Sequence, residues 1–223
     1  MEEKKFVELK KNEFKIKDYI KSTIGKGKVS NVYIEYTPIG EKIVVSTSKP
    51  GFVIGRKGER ITELTEMLKK GYKLENPVIE IKEVEKPELD AQTVADEIAL
   101  FLERFGSLKF KVIAYKMLQR IMKAGALGAE IKLSGKLPSE RAKSLRFSEG
   151  YLKKTGETAK IVESAKASAN TIAGTIGIKV SILPPEKKIH DRIEITPDIT
   201  QKINENKSIT EVKENGNNKK KRD

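Results

Sequence analysis

The chain has 223 residues, with 45 lysines and arginines against 32 aspartates and glutamates and a formal net charge of +13. That balance points to a polyanionic partner, nucleic acid before anionic membrane, and no apolar stretch is long enough to span a bilayer. The absence of cysteine excludes a disulfide framework and a thiolate metal site, and a lone histidine, His190, rules against a histidine-based triad or a multi-histidine metal centre.

The length suits two small domains better than one large core. The opening MEEKKF lacks the apolar core of a signal peptide, so the expected location is the cytoplasm. Residues 4–24 are lysine-rich and helix-favouring, with Phe6, Leu9, Phe14, Ile16, Tyr19 and Ile20 as apolar anchors of one or two helices. Val29 to Tyr36 alternates, Pro38-Ile39-Gly40 turns the chain, and Lys42 to Ser46 is a second β-branched run, which together predict a hairpin.

Next comes GFVIGRKGERI, Gly51 to Ile61, where Gly55 and Gly58 bracket Arg56 and Lys57. Glycine has no Cβ to obstruct a phosphate chain and tolerates unusual φ/ψ, so the turn lets backbone and cations approach a nucleic-acid strand. A helix starting near Gly58 adds N–H donors and the positive end of its dipole. KH modules clamp single strands in this way. The same spacing recurs at Gly125-Ala-Leu-Gly128 and Gly174-Thr-Ile-Gly177 with no cation inside, so those two read as turns or tight packing points. No Gly-Lys-Ser/Thr ending follows the first pair, which argues against a Walker-type loop.

A helix from Glu59 to about Lys69 places Ile61, Leu64, Thr65 and Leu68 on one face, and Val78 to Val84 alternates as a third strand. The resulting order of helix, strand, strand, helix, clamp, helix and strand is that of a type II KH domain. Pro87 marks a boundary, and Asp90 is placed to cap a helix from Ala91 to Phe105. A second helix, about Lys109 to Lys123, buries Phe110, Ile113, Ala114, Met117 and Ile121, and gathers Lys109, Lys116, Arg120 and Lys123 as a cationic stripe. Beyond Gly125 the period falls to two: Ile131 and Leu133, then Leu145 and Phe147, then Ile176 to Ile182, with a further β-run near Lys160 to Val162. These predict a mainly antiparallel sheet covered on one face by the two helices, with basic loops at Lys136, Arg141, Lys143, Lys153 and Lys154. After Pro184-Pro185 the chain is rich in Asn, Lys and Glu and closes on the cationic run Lys219 to Arg222, a composition that predicts disorder.

GFVIGRKGERITEL, ENPVIEIKEVEKPELDAQ, RIMKAGALGAEIKLSGKLPSERAKSLRF and GTIGIKVSILPPE together resemble the small-subunit ribosomal protein S-three family in its archaeal form, over about residues 5 to 186. The resemblance implies an α+β chain: a type II KH RNA-binding domain over 1–88, a two-helix, four-strand C-terminal domain over 89–186, and a disordered charged tail over 187–223. It implies binding to small-subunit rRNA in the head, a place at the mRNA entry channel, and proteins S-ten and S-fourteen as neighbours. In relatives, cations at the start of the second C-terminal helix face incoming mRNA and help open its duplexes. Here Phe110-Lys111-Val112 stands where most relatives have Phe-Arg-Arg, so Lys111 keeps one charge without the guanidinium fork and Val112 removes the other. Channel charge then falls to Lys109, Lys116 and Arg120.

On this reading Gly55, Arg56, Lys57, Gly58 and Arg60 hold the RNA backbone at the clamp, while Lys132, Lys136, Arg141, Lys143 and Arg146 hold RNA or line the channel from the second domain. Phosphate contacts supply most of the affinity and shape supplies specificity. No catalysis, cofactor or metal is expected. The competing readings are a free-standing RNA-binding regulator and a DNA-strand-cleaving lyase using an activated lysine.

Overall fold

Residues 2–24 form a single helix, α1 (Glu2–Ile24), in a computed structural model that describes residues 2–186 apart from residues 39, 73 and 75. The expected tail, with His190 and the Lys219 to Arg222 run, lies outside the described residues. Ile16, Ile20 and Ile24, spaced one turn apart, are buried. Phe6, Leu9 and Phe14, expected as anchors, are instead exposed by 61%, 53% and 68%. Length explains the difference: at about 1.5 Å per residue the helix is longer than the strands it packs on, so its first half overhangs.

Strands β1 (Asn31–Thr37) and β2 (Gly40–Thr47) pair antiparallel, and β3 (Val78–Glu83) joins β2 in parallel, giving the order β1-β2-β3. Between β2 and β3 the chain makes a short helix α2 (Pro50–Ile54), a 3-10 turn at Arg56–Gly58, and α3 (Glu59–Tyr72). Proline at the first turn suits α2 because that N–H has no helical partner in any case. Val32, Ile43 and Val45 from the strands meet Ile16, Ile20, Ile24, Val53, Leu64 and Leu68 in one buried cluster. The helices therefore cover one face of this sheet.

A second, separate cluster lies further along the chain. Helix α4 (Ala91–Phe105) starts at Asp90, whose carboxylate accepts from the Thr93 N–H at 2.9 Å. Helix α5 (Phe110–Lys123) follows a 3-10 turn at Ser107–Lys109 and buries Phe110, Ala114, Met117 and Ile121, with Ile113 half-buried. Strands β4 (Gly128–Gly135), β5 (Lys143–Gly150), β6 (Glu163–Thr171) and β7 (Gly174–Leu183) form an antiparallel sheet in the order β5-β4-β7-β6. Its inner face, with Ile131, Leu133, Ile176, Ile178, Val180 and Ile182, packs on the two helices.

One strand is displaced from its expected place. Most of Lys160 to Val162 lies in a 3-10 turn, Glu157–Ile161, and β6 starts only at Glu163. The sequence of β6, ESAKASANT, carries no β-branched residue before its final threonine, so propensity hides it. Its inward positions are Ala165, Ala167 and Ala169, small enough for α4 to lie close over the strand.

The loop after α1 is tied to the second cluster by a set of polar contacts. Lys26 Nζ donates to Glu103 at 3.2 Å and to the Ser168 carbonyl at 3.2 Å, and Glu103 also accepts from the Asn170 N–H at 3.0 Å. The Gly27 N–H donates to Asp96 at 3.1 Å, and Gln92 donates to the other oxygen of the same carboxylate. The Asn170 N–H, helped by Lys26, holds the Glu103 carboxyl below its ordinary value, whereas burial pushes that of Asp96 up. The Glu103 contribution is therefore present above the ordinary carboxylate range and lost as pH falls through its lowered value, while ionisation of Asp96 costs stability as pH rises. Replacing Glu103 by Gln is expected to cost up to about 1 kcal/mol at neutral pH, modest because Lys26 is half in solvent. The gap between variant and native chain should close in acid. Urea titrations at pH 7 and at about pH 3 read this directly, and a gap independent of pH would locate the stabilisation elsewhere.

Candidate nucleic-acid interface

The clamp is assembled where β2 hands over to α2. The buried Thr47 hydroxyl donates to the Lys28 carbonyl and accepts from the Lys49 N–H at 3.1 Å, which fixes the exit from the strand. After α2 the chain turns at Gly55, with φ 75 and ψ −175, a region open essentially to glycine alone. A Cβ at that position would also lie 2.9 Å from the Arg60 side chain. Lys57 follows at φ 53 and ψ 22, the one non-glycine residue with positive φ among the described residues. A lysine held in left-handed backbone costs on the order of 1 kcal/mol. Strain kept at such a place is a mark of function more than of folding.

Arg56 and Lys57 are both exposed, and among the described residues no carboxylate pairs with either. Arg60 has a structural duty: its Nη1 donates to the Phe52 carbonyl at 3.1 Å and closes the turn from the α3 side. Lys28, which the sequence reading did not single out, stands with its Nζ 4.6 Å from the centre of the Phe52 ring. No local pattern marks it, because it comes from the loop before β1. Phe52 and Ile54 are themselves 46% and 40% exposed, so the turn offers cations beside an apolar wall. That combination is chemically suited to a phosphate chain, with a surface against which a base can lie.

The cations expected in the second half of the chain divide among three places. Lys109, Lys111 and Lys116 are exposed on or just before α5. Lys109 lies over the Phe105 ring at 5.5 Å and Lys111 over the Phe110 ring at 6.0 Å. Arg120 differs, since it pairs with Glu97 at 2.9 Å and Glu88 at 3.4 Å, and these carboxylates, Glu97 foremost, raise its guanidinium pKa further. Its charge is largely answered within the protein, by residues of other elements that helical periodicity does not connect to it. Val112 is 67% exposed, beside exposed Leu108 and Tyr115, so burial does not account for the valine.

Lys132 and Arg146 are register partners on β4 and β5, on the sheet face turned away from the helices. Arg146 also lies 3.7 Å from Glu130, which Lys154 engages as well. Lys136, Arg141 and Lys143 cluster at the β4–β5 connection, all exposed. The α5 cations and the Lys132–Arg146 pair are thus on opposite sides of one sheet. Among the described residues no cluster of acidic or histidine side chains could hold a metal ion, and no helix is long and apolar enough to cross a membrane.

Residues 15–89 match the family described as KH domain, and residues 98–182 match that described as Ribosomal protein S3, C-terminal domain. Small ribosomal subunit protein uS3 of Methanocaldococcus jannaschii is 43% identical over 199 residues, covering 89% of this chain and 95% of that one. The proteins of the same name from Methanosphaera stadtmanae and Methanobrevibacter smithii are each 38% identical, covering 88% and 96% of this chain and 77% and 85% of their own. With a KH clamp, a helix-covered four-stranded sheet and such relatives over most of its length, the chain belongs to the uS3 family of small-subunit ribosomal proteins.

Proposed function

We propose that this chain is a structural, non-enzymatic component of the small ribosomal subunit in the cytoplasm. It binds rRNA in the subunit head through the Gly55 to Arg60 clamp, contacts mRNA at the entry channel through the start of α5, and neighbours S-ten and S-fourteen. The carrying observation is the clamp: two exposed, carboxylate-free cations, one in left-handed backbone, on a turn whose glycine cannot be replaced without strain. In this reading residues 1–88 seat the chain on RNA and residues 89–186 present the channel surface. Glycine, arginine and lysine of the clamp hold backbone, whereas Lys109, Lys111 and Lys116 supply the channel field; Arg120 contributes less because Glu97 and Glu88 already answer it.

Sedimentation of cell extract through sucrose at low and high salt tests the assignment. Stoichiometric co-migration with small subunits through high salt is expected, and a chain left at the top of the gradient would make it a free RNA-binding regulator. The channel role has its own test. Reconstituted subunits carrying Val112→Arg should open mRNA duplexes about twofold to tenfold faster, since the substitution adds one charge at an exposed helical position. An unchanged rate would remove the start of α5 from duplex opening.

A further inference from the structure

The outer face of the second sheet carries a feature that becomes visible only once strand register is known. Lys132 pairs with Arg146 on one side and Lys179 on the other, and Lys179 pairs with Lys166. Across the order β5-β4-β7-β6 this makes one continuous row, Arg146–Lys132–Lys179–Lys166, with a cation on every strand. At about 4.8 Å per strand the row is about 14 Å long. All four residues are exposed, and among the described residues no carboxylate pairs with Lys132, Lys179 or Lys166.

Like charges directly opposite each other destabilise a sheet, and lysine is a poor strand former, so folding alone gives no reason for this row. Its flanks are polar and small. On one side Ser148, Glu130, Ser181 and Ser164 run across the strands, and on the other Ser144, Ser134, Gly177 and Ser168. Glu130 is the one carboxylate among these positions, and it is engaged by Arg146 and Lys154.

We propose that this face is a second RNA-binding surface, which takes the sugar–phosphate backbone of a double-stranded RNA helix and not a single strand. Three features set the ligand class. The face has no aromatic side chain, so it lacks the stacking platforms that hold unpaired bases. Its apolar neighbours, Leu152, Ala159 and Val162, are half-buried at one border and not at its centre, and lysine is depleted in the cores of protein–protein interfaces, so an acidic protein is the weaker fit. The lysine row with serine hydroxyls beside it, bordered by Lys153 and Lys154 of the β5–β6 connection, matches phosphates and 2′-hydroxyls presented across the wide, shallow minor groove of an A-form helix. The surface rests on the reading of this chain as an RNA-seated protein, but it is separate from the clamp and lies on the side of the sheet opposite α5.

The test compares two variants of the full chain with two probes, a 20-base-pair mixed-sequence RNA duplex and poly(U). Lys132→Gln/Lys166→Gln/Lys179→Gln is expected to weaken duplex binding about tenfold or more and to flatten its salt dependence by about 0.9 in log–log slope per side chain. It should leave poly(U) binding nearly unchanged and melt at or above the temperature of the native chain, because repulsion along the row is relieved. Arg56→Gln/Lys57→Gly should do the reverse, weakening poly(U) binding and sparing the duplex. If the triple variant binds the duplex with native affinity and slope while the clamp variant loses poly(U), the sheet surface is disproved and the clamp stands. If neither variant changes either probe, the clamp reading fails too. Polyglutamate bound by the native chain more tightly than the duplex, and lost in the triple variant, would reassign the face to an acidic protein.

Discussion

Replacing Arg56 by Gln together with Lys57 by Gly is expected to weaken single-stranded RNA binding about tenfold to a hundredfold while leaving the fold intact. The two substitutions act by different physics. Arg56→Gln removes a charge and keeps a shorter, polar side chain. Lys57→Gly removes a charge and also relieves the left-handed backbone at φ 53, since glycine adopts that conformation without a Cβ penalty. The double variant should therefore be as stable as the native chain or more stable, by up to about 1 kcal/mol. Fluorescence anisotropy with labelled poly(U) over a salt series, alongside urea denaturation, reads both effects. The log–log salt slope should flatten by about 0.7 for each phosphate that the variant no longer neutralises. Native affinity in a stably folded Lys57→Gly single variant would mean that the strain at this residue serves something other than phosphate.

The largest effect on stability is expected where β4 meets β5. Gly128 and Gly150 face each other in register, and the Tyr151 N–H bonds the Leu127 carbonyl at 2.9 Å beside them. A Cβ on Gly128 would fall 2.2 Å from the Tyr151 carbonyl oxygen; one on Gly150, already at φ 74, would fall 2.4 Å from that of Leu127. Both obstacles are backbone and cannot rotate away. Gly128→Val and Gly150→Val should each cost about 3 kcal/mol or more, a large part of the stability of an ordinary domain. Gly177 on β7 is the control, because a Cβ there would meet nothing nearer than the Ser134 carbonyl at 3.7 Å. Gly177→Ala should be tolerated. Urea midpoints for the three variants settle the ranking, and a Gly128→Val chain as stable as Gly177→Ala would contradict the close approach.

Much of this architecture is legible from local chemistry. Alternation places β4 and β7, helical spacing places α4 and α5, and Asp90 marks its cap because an Asn/Asp/Ser/Thr before an apolar periodic run has few other uses. The glycine–cation turn is legible for the same reason: its residue types and its neighbours agree. What escapes local reading depends on elements distant in sequence. The alanines of β6 are chosen by α4 lying over them, and nothing in ESAKASANT alone separates strand from helix. The neutralisation of Arg120 comes from Glu88 and Glu97, and Lys28 reaches the clamp from before β1. The overhanging half of α1 follows from the mismatch between helix and strand lengths, which no helical wheel displays.

The contacts from Lys26 and Gly27 to Glu103, Ser168 and Asp96 bear on how the two proposed RNA surfaces would act together. They join the clamp-bearing part of the chain to the part carrying the cationic row, so that, if both proposed surfaces take RNA, engagement of one would deliver the other to the same RNA at high effective concentration. Two individually modest attachments would then act as one strong one, with no further interaction and little linker entropy to overcome. Loosening that junction would lower avidity for folded RNA while leaving affinity for short probes of either kind untouched.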